Sequence, residues 1–360
     1  MNINVTKPFL PPLAEYHTYL QGVWEREWLT NNGPLVNELE VALKERLDLD
    51  HLLFVSNGTI AIQLALKALN ITGEVITTPF SYVATSSAVC WEGCVPVMAD
   101  ISPLDFNIDP EKIEAKITPH TSAILATHVY GNPCDVDAIE AIAAKHGLRV
   151  IYDAAHAFGT RYKNRSLFSY GDVATSSFHA TKLFHTIEGG AVIARDPAVL
   201  KRMAEMRNFG HISPTAFQEV GINGKNSEVH AAMGLCNLKY LDDILRVRKS
   251  LSERYDRNLA GLPIQRPVSR QGTDFNHAYY AVAVEDEALL LKIIDGLQLH
   301  NIFPRRYFFP SLSTLPYVST ESCPVAEDLS RRVMCLPLYH TLSEEEVDMI
   351  CRLIKRYIRY

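Results

Sequence analysis

Lys182 lies in the stretch Ser176-Ser-Phe-His-Ala-Thr-Lys-Leu-Phe-His-Thr-Ile-Glu-Gly-Gly-Ala-Val-Ile193, between two apolar runs that read as strands. Small hydroxyl residues surround it, and a Glu188-Gly-Gly turn follows. A lysine that forms a Schiff base and then moves protons needs a fixed backbone and a partly desolvated amine. Most lysines are simply solvated, so the case rests on what else the chain supplies. Asp153 directly follows the strand-like run Arg149-Val-Ile-Tyr, apolar from Val150 on, and precedes Ala-Ala. A carboxylate entering so dry a region needs a partner. It is either a helix N-cap or the counter-ion to a protonated ring nitrogen. Ser56-Asn-Gly-Thr59 stands where a strand turns into a helix. Such a turn offers free backbone N–H groups and hydroxyls, either as a phosphate cradle or as a plain N-cap. Tyr82 adds a flat ring after another apolar run.

The elements that must carry these residues alternate. Strands are expected over 74–78, 95–99, 121–128 and 149–152. Helices are expected after the 56–59 turn, with Ile60, Leu64, Ala65 and Ala68 facing the core, and over 83–91, 110–117 and 136–146. In the last of these Asp135 caps a stripe of Val136, Ile139, Ile142 and Ala143, and Gly147 ends it. Strands alternating with helices imply a mostly parallel sheet covered on both faces. Ligands of such sheets bind at the carboxyl ends of the strands. Thr78 to Tyr82, His128 to Gly131, Asp153 to His156 and Ser176 to Lys182 all fall at such ends.

Two further helices are expected ahead of the sheet, over 13–28 and 36–47. After Asp196 the chain reads as helical with one loop, 208–227, before an Ala/Leu-rich helix over 229–241. Beyond about residue 243 it reads as a smaller α+β region. That region has a strand over 279–284, helices over 288–299 and 347–358, and a capping box of Ser343 with Glu346. The expected domains are 12–243 and 244–360, with residues 1–11 packing on the second.

Composition narrows the function classes. Three hundred and sixty residues exceed the size of one ordinary core. Apolar residues make up 47% and charged residues 21%, which argues against disorder. A net charge of −6 with no basic run argues against nucleic-acid binding. Seven cysteines, an odd count with no second pair or His cluster beside Cys90 and Cys94, fit a reducing compartment and no metal site. No apolar run approaches a membrane span and no signal-peptide core opens the chain, so a cytoplasmic location is expected.

An anion cradle, an aromatic ring, a buried acid and a special lysine at the strand ends of one sheet together suit pyridoxal 5'-phosphate (PLP). The phosphate takes the N–H and hydroxyl donors, the acid keeps the pyridine protonated, and the lysine holds the aldehyde. Ser-Asn-Gly-Thr at 56–59, Thr-Pro-Phe-Ser-Tyr at 78–82, Asp-Ala-Ala-His at 153–156, Ser-Phe-His-Ala-Thr-Lys at 177–182 with Glu-Gly-Gly at 188–190, and Gly-Ile-Asn at 221–223 resemble, in this order, the DegT/DnrJ/StrS nucleotide-sugar aminotransferases. The resemblance spans residues 8 to 355. It implies fold type I of the PLP enzymes, an aspartate-aminotransferase-like α/β fold. Its large domain carries a mixed, mostly parallel seven-stranded sheet, beside a smaller α+β C-terminal domain.

By the same resemblance, Lys182 holds the cofactor and moves the proton, Asp153 partners the pyridine nitrogen, and Tyr82 and His156 lie on the ring. Gly58, Thr59 and Ser177 hold the phosphate, and Asn223 reaches the phosphate of the other subunit of a homodimer. L-glutamate gives the amine and a dTDP-linked keto sugar takes it. The segments FHATKLFHTIEGG and RRYFFPSL are most similar to the VioA-like enzymes. Those aminate dTDP-4-keto-6-deoxy-D-glucose to dTDP-4-amino-4,6-dideoxy-D-glucose, a sugar of O-antigen and other cell-surface glycans. A C-3 aminotransferase acting on a 3-keto isomer is the near rival. A PLP-dependent sugar dehydratase, which carries histidine at the lysine position, and a non-catalytic family member are the remote ones.

The chain also departs from the pattern. Where the family commonly has Asn-Tyr-Arg-Met, this chain has Asn223-Gly-Lys-Asn. Lys225 either replaces the missing arginine's charge near substrate or is merely solvated; it lacks the bidentate fork in any case. His179 and His185 are either acid–base residues near substrate or packing and phosphate-side groups. Tyr307, with Phe308 and Phe309, either lines a sugar or base pocket or belongs to an aromatic core.

Overall fold

The computed structural model describes residues 2–318 and 321–359. A seven-stranded sheet lies at its centre. Its order is Leu53–Val55, Gly190–Ala194, Val173–Ser177, Arg149–Asp153, Thr121–Thr127, Glu74–Thr77 and Val95–Met98. Gly190–Ala194 runs antiparallel to both neighbours, and the other adjacent pairs are parallel. Its inner strands are apolar on both faces because both are covered: Ala123 to Ala126, Ile151 and Val192 are fully buried.

Helices Gly58–Ala68, Ala84–Trp91 and Pro197–Met206 cover one face. Pro34–Leu47, Val136–His146 and Glu228–Leu238 cover the other. Local chemistry sets several of these boundaries. Asp135 Oδ1 accepts the Ala138 N–H at 3.2 Å, which starts the helix Val136–His146 where its stripe begins. Glu228 is fully buried, and its carboxylate accepts the Leu35 and Val36 N–H groups at 3.0 and 2.9 Å. It thereby caps Pro34–Leu47 from another helix.

A second apolar core lies in the C-terminal part. It gathers Leu251, Tyr255, Leu290, Ile293, Val347 and Ile350 around the antiparallel pair Tyr280–Ala283 and Val333–Leu336. The capping box forms: the Ser343 N–H donates to Glu346 Oε2 at 2.8 Å and the Glu346 N–H to Ser343 Oγ at 3.2 Å. The amphipathic helix behind it runs Glu344–Arg359. Residues Ile3–Asn4 pair in parallel with Ile302–Phe303 and so join this part.

Three features differ from the sequence reading. Val333–Leu336 is a strand, although it follows the helix Pro324–Arg332 with no turn former between them. The loop 208–227 contains a hairpin, His211–Ser213 with Ala216–Phe217. A single 19-residue helix, Leu241–Leu259, crosses the expected boundary at residue 243, placing Leu241 and Ile244 in one core and Leu251, Tyr255 and Leu259 in another. No helix among the described residues is long and apolar enough to cross a membrane.

Candidate active site

A cleft of about 410 Å³ opens at the carboxyl ends of the strands ending at Thr127, Asp153 and Ser177. One wall comes from the C-terminal part, where Arg305, Tyr307 and Phe308 reach in. That loop is fastened to the end of another strand, because the Leu312 N–H donates to the Pro79 carbonyl at 2.8 Å.

Lys182 lies on the floor, in the connection between two antiparallel strands, Val173–Ser177 and Gly190–Ala194. The Lys182 N–H closes a turn on the His179 carbonyl at 2.8 Å, and Phe178 and Thr186 bond each other's ends of the loop. Beneath it Phe54, Phe158, Phe178 and Phe184 pack ring on ring, with Phe158 and Phe184 stacked at 4.4 Å. Leu183 and Phe184 are thus the hydrophobic underside of the lysine loop. Burial lowers the Lys182 pKa to about 8, with Asp153 opposing and Arg305 reinforcing the drop. An amine so poised exchanges protons near neutrality.

Asp153 lies across the floor, 6% exposed. Its Oδ2 accepts from Thr85 Oγ1 at 2.8 Å and its Oδ1 from the Ala155 N–H at 3.2 Å, both neutral donors. Burial pushes its pKa up, and those two hydrogen bonds and the Lys182 charge only partly offset this. Thr85 Oγ1 is 2.8 Å from Ser81 Oγ, which is 3.0 Å from Thr127 Oγ1. A threonine hydroxyl has one proton. Given to Asp153, it makes the chain directional, from Thr127 through Ser81 and Thr85 to the carboxylate. The arrangement supports negative charge at Asp153 yet supplies no ion pair, which leaves a buried acid suited to a cationic ligand group.

His156 is 7% exposed beside the same cleft, with its ring parallel to Phe308 at 5.6 Å. The Tyr130 N–H donates to its Nδ1 at 3.3 Å. Burial and the Lys182 charge hold its pKa well below normal, so the imidazole is neutral with its proton on Nε2.

The opposite end of the cleft is formed by the start of a helix. Asn57 caps the helix Gly58–Ala68, taking the Ile60 N–H at 2.9 Å. Gly58, Thr59, Ser176 and Ser177 line the cleft there. Ser176 Oγ is buried without a hydrogen-bond partner. The helix start abuts the strand end so closely that a Cβ on Gly58 would sit 2.9 Å from Ser177 Cβ, and one on Gly190 would sit 2.6 Å from the Asn57 carbonyl carbon. Gly190, the second glycine after Glu188, is therefore a packing requirement of this end of the cleft.

Tyr82, 53% exposed, and Tyr307 also line the cleft, as does His179. His179 Nδ1 lies 2.8 Å from Thr181 Oγ1, and its Nε2 is 3.6 Å from Glu188 Oε1. Two residues weighed as substrate contacts, His185 and Lys225, lie elsewhere. His185 is 2% exposed and absorbed in packing: its Nε2–H donates to the Phe9 carbonyl at 2.7 Å and its Nδ1 accepts the Ile187 N–H at 3.2 Å. Lys225 donates to Asn208 Oδ1 at 2.7 Å and lies over the Phe209 ring, in a separate depression with Arg207 and His211. Asn223 is exposed and backbone-bridged to Asn208, outside this chain's own cleft. Of the aromatic trio, Phe308 is buried beside His156, whereas Phe309 is half exposed under Arg306.

The profile of the DegT/DnrJ/EryC1/StrS aminotransferase family matches residues 14–355. The chain belongs to that family. It is 41% identical over 98% of both chains to a dTDP-4-amino-4,6-dideoxy-D-glucose transaminase of Escherichia coli. Among solved structures it matches DesI in the presence of its TDP-sugar product, with TM-score 0.94 and 33% identity over 99% of this chain and 93% of that one. It also matches Spr1654 of Streptococcus pneumoniae in a PLP form, with TM-score 0.91 and 25% identity over 100% and 99%. The fold is that of the type I PLP enzymes, and the protein is a nucleotide-sugar aminotransferase.

Several residues of this aminotransferase cleft escaped the sequence reading. Thr85, fully buried behind the cleft and four residues beyond Ser81, sets its hydroxyl between that of Ser81 and the Asp153 carboxylate. Arg305 opens the Arg-Arg-Tyr-Phe-Phe run, whose aromatic residues give the stronger sequence signal. Glu188 belongs to the turn that follows the lysine, yet it lines the cleft.

Proposed function

We propose that this enzyme transfers the amino group of L-glutamate to C-4 of dTDP-4-keto-6-deoxy-D-glucose, using PLP, and yields dTDP-4-amino-4,6-dideoxy-D-glucose for a cell-surface glycan such as O-antigen. One observation carries the chemistry: a desolvated lysine and a buried acid without an ion-pair partner face each other across one cleft. The match to the Escherichia coli transaminase over nearly the whole of both chains supports the choice of sugar.

The residues present suit the cofactor. Gly58, Thr59 and Ser177 would hold the phosphate at the helix start, where backbone N–H groups and the dipole favour an anion. The unpartnered Ser176 hydroxyl lies at the same end. Asp153 would meet the pyridine nitrogen, and Tyr82 and His156 would flank the ring. PLP supplies an aldehyde that takes up amines and a protonated ring that accepts the electron pair left when a C–H bond breaks.

The protein's own groups do the rest. Lys182 Nζ, with its lowered pKa, takes the proton from Cα of glutamate and later delivers one to C-4 of the sugar. The Thr127–Ser81–Thr85 chain favours the ionised form of Asp153, and a carboxylate there would hold the ring nitrogen protonated. Neutral His156 offers an Nε2–H donor without adding a cation beside Lys182. The products are 2-oxoglutarate and the amino sugar, so amine and electrons balance over the two halves.

The exposed Asn223 and the apolar hairpin near it support a homodimer in which the partner's loop completes each site. We infer two domains, 12–243 and 244–360, joined without a break by the helix Leu241–Leu259, whose two ends pack in different cores, with residues 1–11 on the second.

The test is incubation of the purified enzyme with glutamate and a panel of dTDP-, UDP- and GDP-linked 3-keto and 4-keto sugars, with the product identified by NMR. A 4-amino-4,6-dideoxyglucose on dTDP is expected; a 3-amino product would overturn the assignment to C-4. Lys182→Ala should lose the visible absorbance of the bound cofactor and reduce turnover by at least roughly 10²–10⁴-fold, the range for a positioned proton-transfer group.

A further inference from the structure

Two arginines stand side by side at the start of the wall loop, and they are used differently. Arg306 is committed: its Nη2 donates to Glu287 Oε1 at 2.6 Å and to the Arg331 carbonyl at 2.9 Å, and its guanidinium covers Phe309. Arg305 faces the cleft. Its backbone is fixed by a reciprocal pair of hydrogen bonds with Cys335, at 3.1 and 2.8 Å. Its guanidinium stacks over the Tyr307 ring at 4.7 Å, and among the described residues it has no carboxylate within ion-pair distance.

A guanidinium on a fixed backbone, oriented by an aromatic ring and left without an anion, has its fork of donors free. Its position also has a cost, because it lies close enough to Lys182 to oppose the lysine's protonation. Of the two nearby acids, Asp153 is buried and bonded to Thr85, and Glu188 lies against His179. Neither neutralises Arg305.

Resting on the transamination reading, we propose that Arg305 is the subsite for an anionic group of the substrates: a carboxylate of the amino donor or the diphosphate of the sugar nucleotide. Both present paired oxygens that match the guanidinium fork. Arrival of that anion also cancels the positive field on Lys182 while the site is filled.

The test is calorimetric titration of the cofactor-loaded enzyme with dTDP and, separately, with 2-oxoglutarate, for wild type, Arg305→Gln and Arg305→Lys. Arg305→Gln should weaken one of the two ligands by about 10- to 100-fold, the range for a charge-assisted hydrogen bond, and leave the other within about twofold. Loss confined to dTDP assigns the diphosphate, and loss confined to 2-oxoglutarate assigns the carboxylate. Arg305→Lys should recover part of the affinity, since it restores charge without the fork. In Arg305→Gln the pH midpoint of the bound cofactor's absorbance should rise, because a cation beside Lys182 is gone. Unchanged affinity for both ligands in Arg305→Gln, with wild-type turnover of glutamate and the keto sugar intact, overturns the subsite alone. Wild-type enzyme that binds neither ligand overturns the transamination reading and the subsite with it.

Discussion

Asp153 and Lys182 are each unfavourable in isolation. Burial raises the acid's pKa and lowers the amine's, and their mutual attraction is among the lesser effects on the acid. The sign of the resulting pH dependence follows from linkage. With the native pKa of Asp153 raised above the ordinary carboxylate value, the unfolded chain releases that proton first. Stability is therefore lost as pH rises from about 4 through the raised native value, and stays lost above it. In cofactor-free protein, Asp153→Asn should then melt above wild type at pH 8, and the gap should close toward pH 4. With PLP bound the order should reverse, because the carboxylate then has its cationic partner. Calorimetric melting of both proteins, with and without cofactor, measures this. A cofactor-free variant that melts below wild type at pH 8 would show that Asp153 is already compensated within the chain. The acid was legible in the sequence because a carboxylate after three consecutive apolar strand residues is chemically expensive. Thr85 was not, because a lone hydroxyl on a helix leaves no comparable signal.

At the scale of the element, the loop 177–190 divides its residues sharply. Lys182 and His179 face the cleft, whereas Leu183, Phe184 and His185 face inward. The sequence shows the loop's importance but not this division, since no helical or strand period runs through it. His185 illustrates the consequence. It bonds the Phe9 carbonyl, and its own carbonyl accepts from Asn237 Nδ2 at 2.8 Å, so it ties the N-terminal segment and the helix Glu228–Leu238 to the lysine loop. His185→Ala should cost about 1–3 kcal/mol of stability through the groups left unpaired, with kcat and KM within about twofold of wild type. A fall in kcat without loss of stability would instead put His185 in contact with the reaction. Regular elements were more legible: Asp135 and the Ser343–Glu346 box mark their helices by side-chain chemistry alone. The strands at 302–303 and 333–336 were not legible, being two and four residues long and defined by distant partners.

For the whole molecule, the sheet and its ligand edge could be read from the alternation of elements, but the molecular surface could not. The loop 208–227 had no visible purpose beyond its Gly-Ile-Asn motif. In the structure it carries Phe209, Ile212, Phe217 and Val220, all exposed, with Val220 at 90%. Apolar side chains gathered on one projecting hairpin are an interface signature. Asn223 leaves the same loop away from its own cleft. The loop is nevertheless tied to the cradle: the Ser56 N–H donates to the Gly224 carbonyl at 2.9 Å, and Asn226 Nδ2 donates to the Glu188 carbonyl at 3.0 Å. A partner docking on the hairpin would therefore press on the phosphate end of both sites. Phe217→Asp with Val220→Glu should convert a species of twice the chain mass into one of single mass, read by light scattering. Cofactor retention should fall with it, even though every cleft residue of the chain is unchanged. If the variant stays dimeric, the hairpin is not the interface. If it becomes monomeric yet keeps its cofactor undiminished, Asn223 does not serve the partner's phosphate.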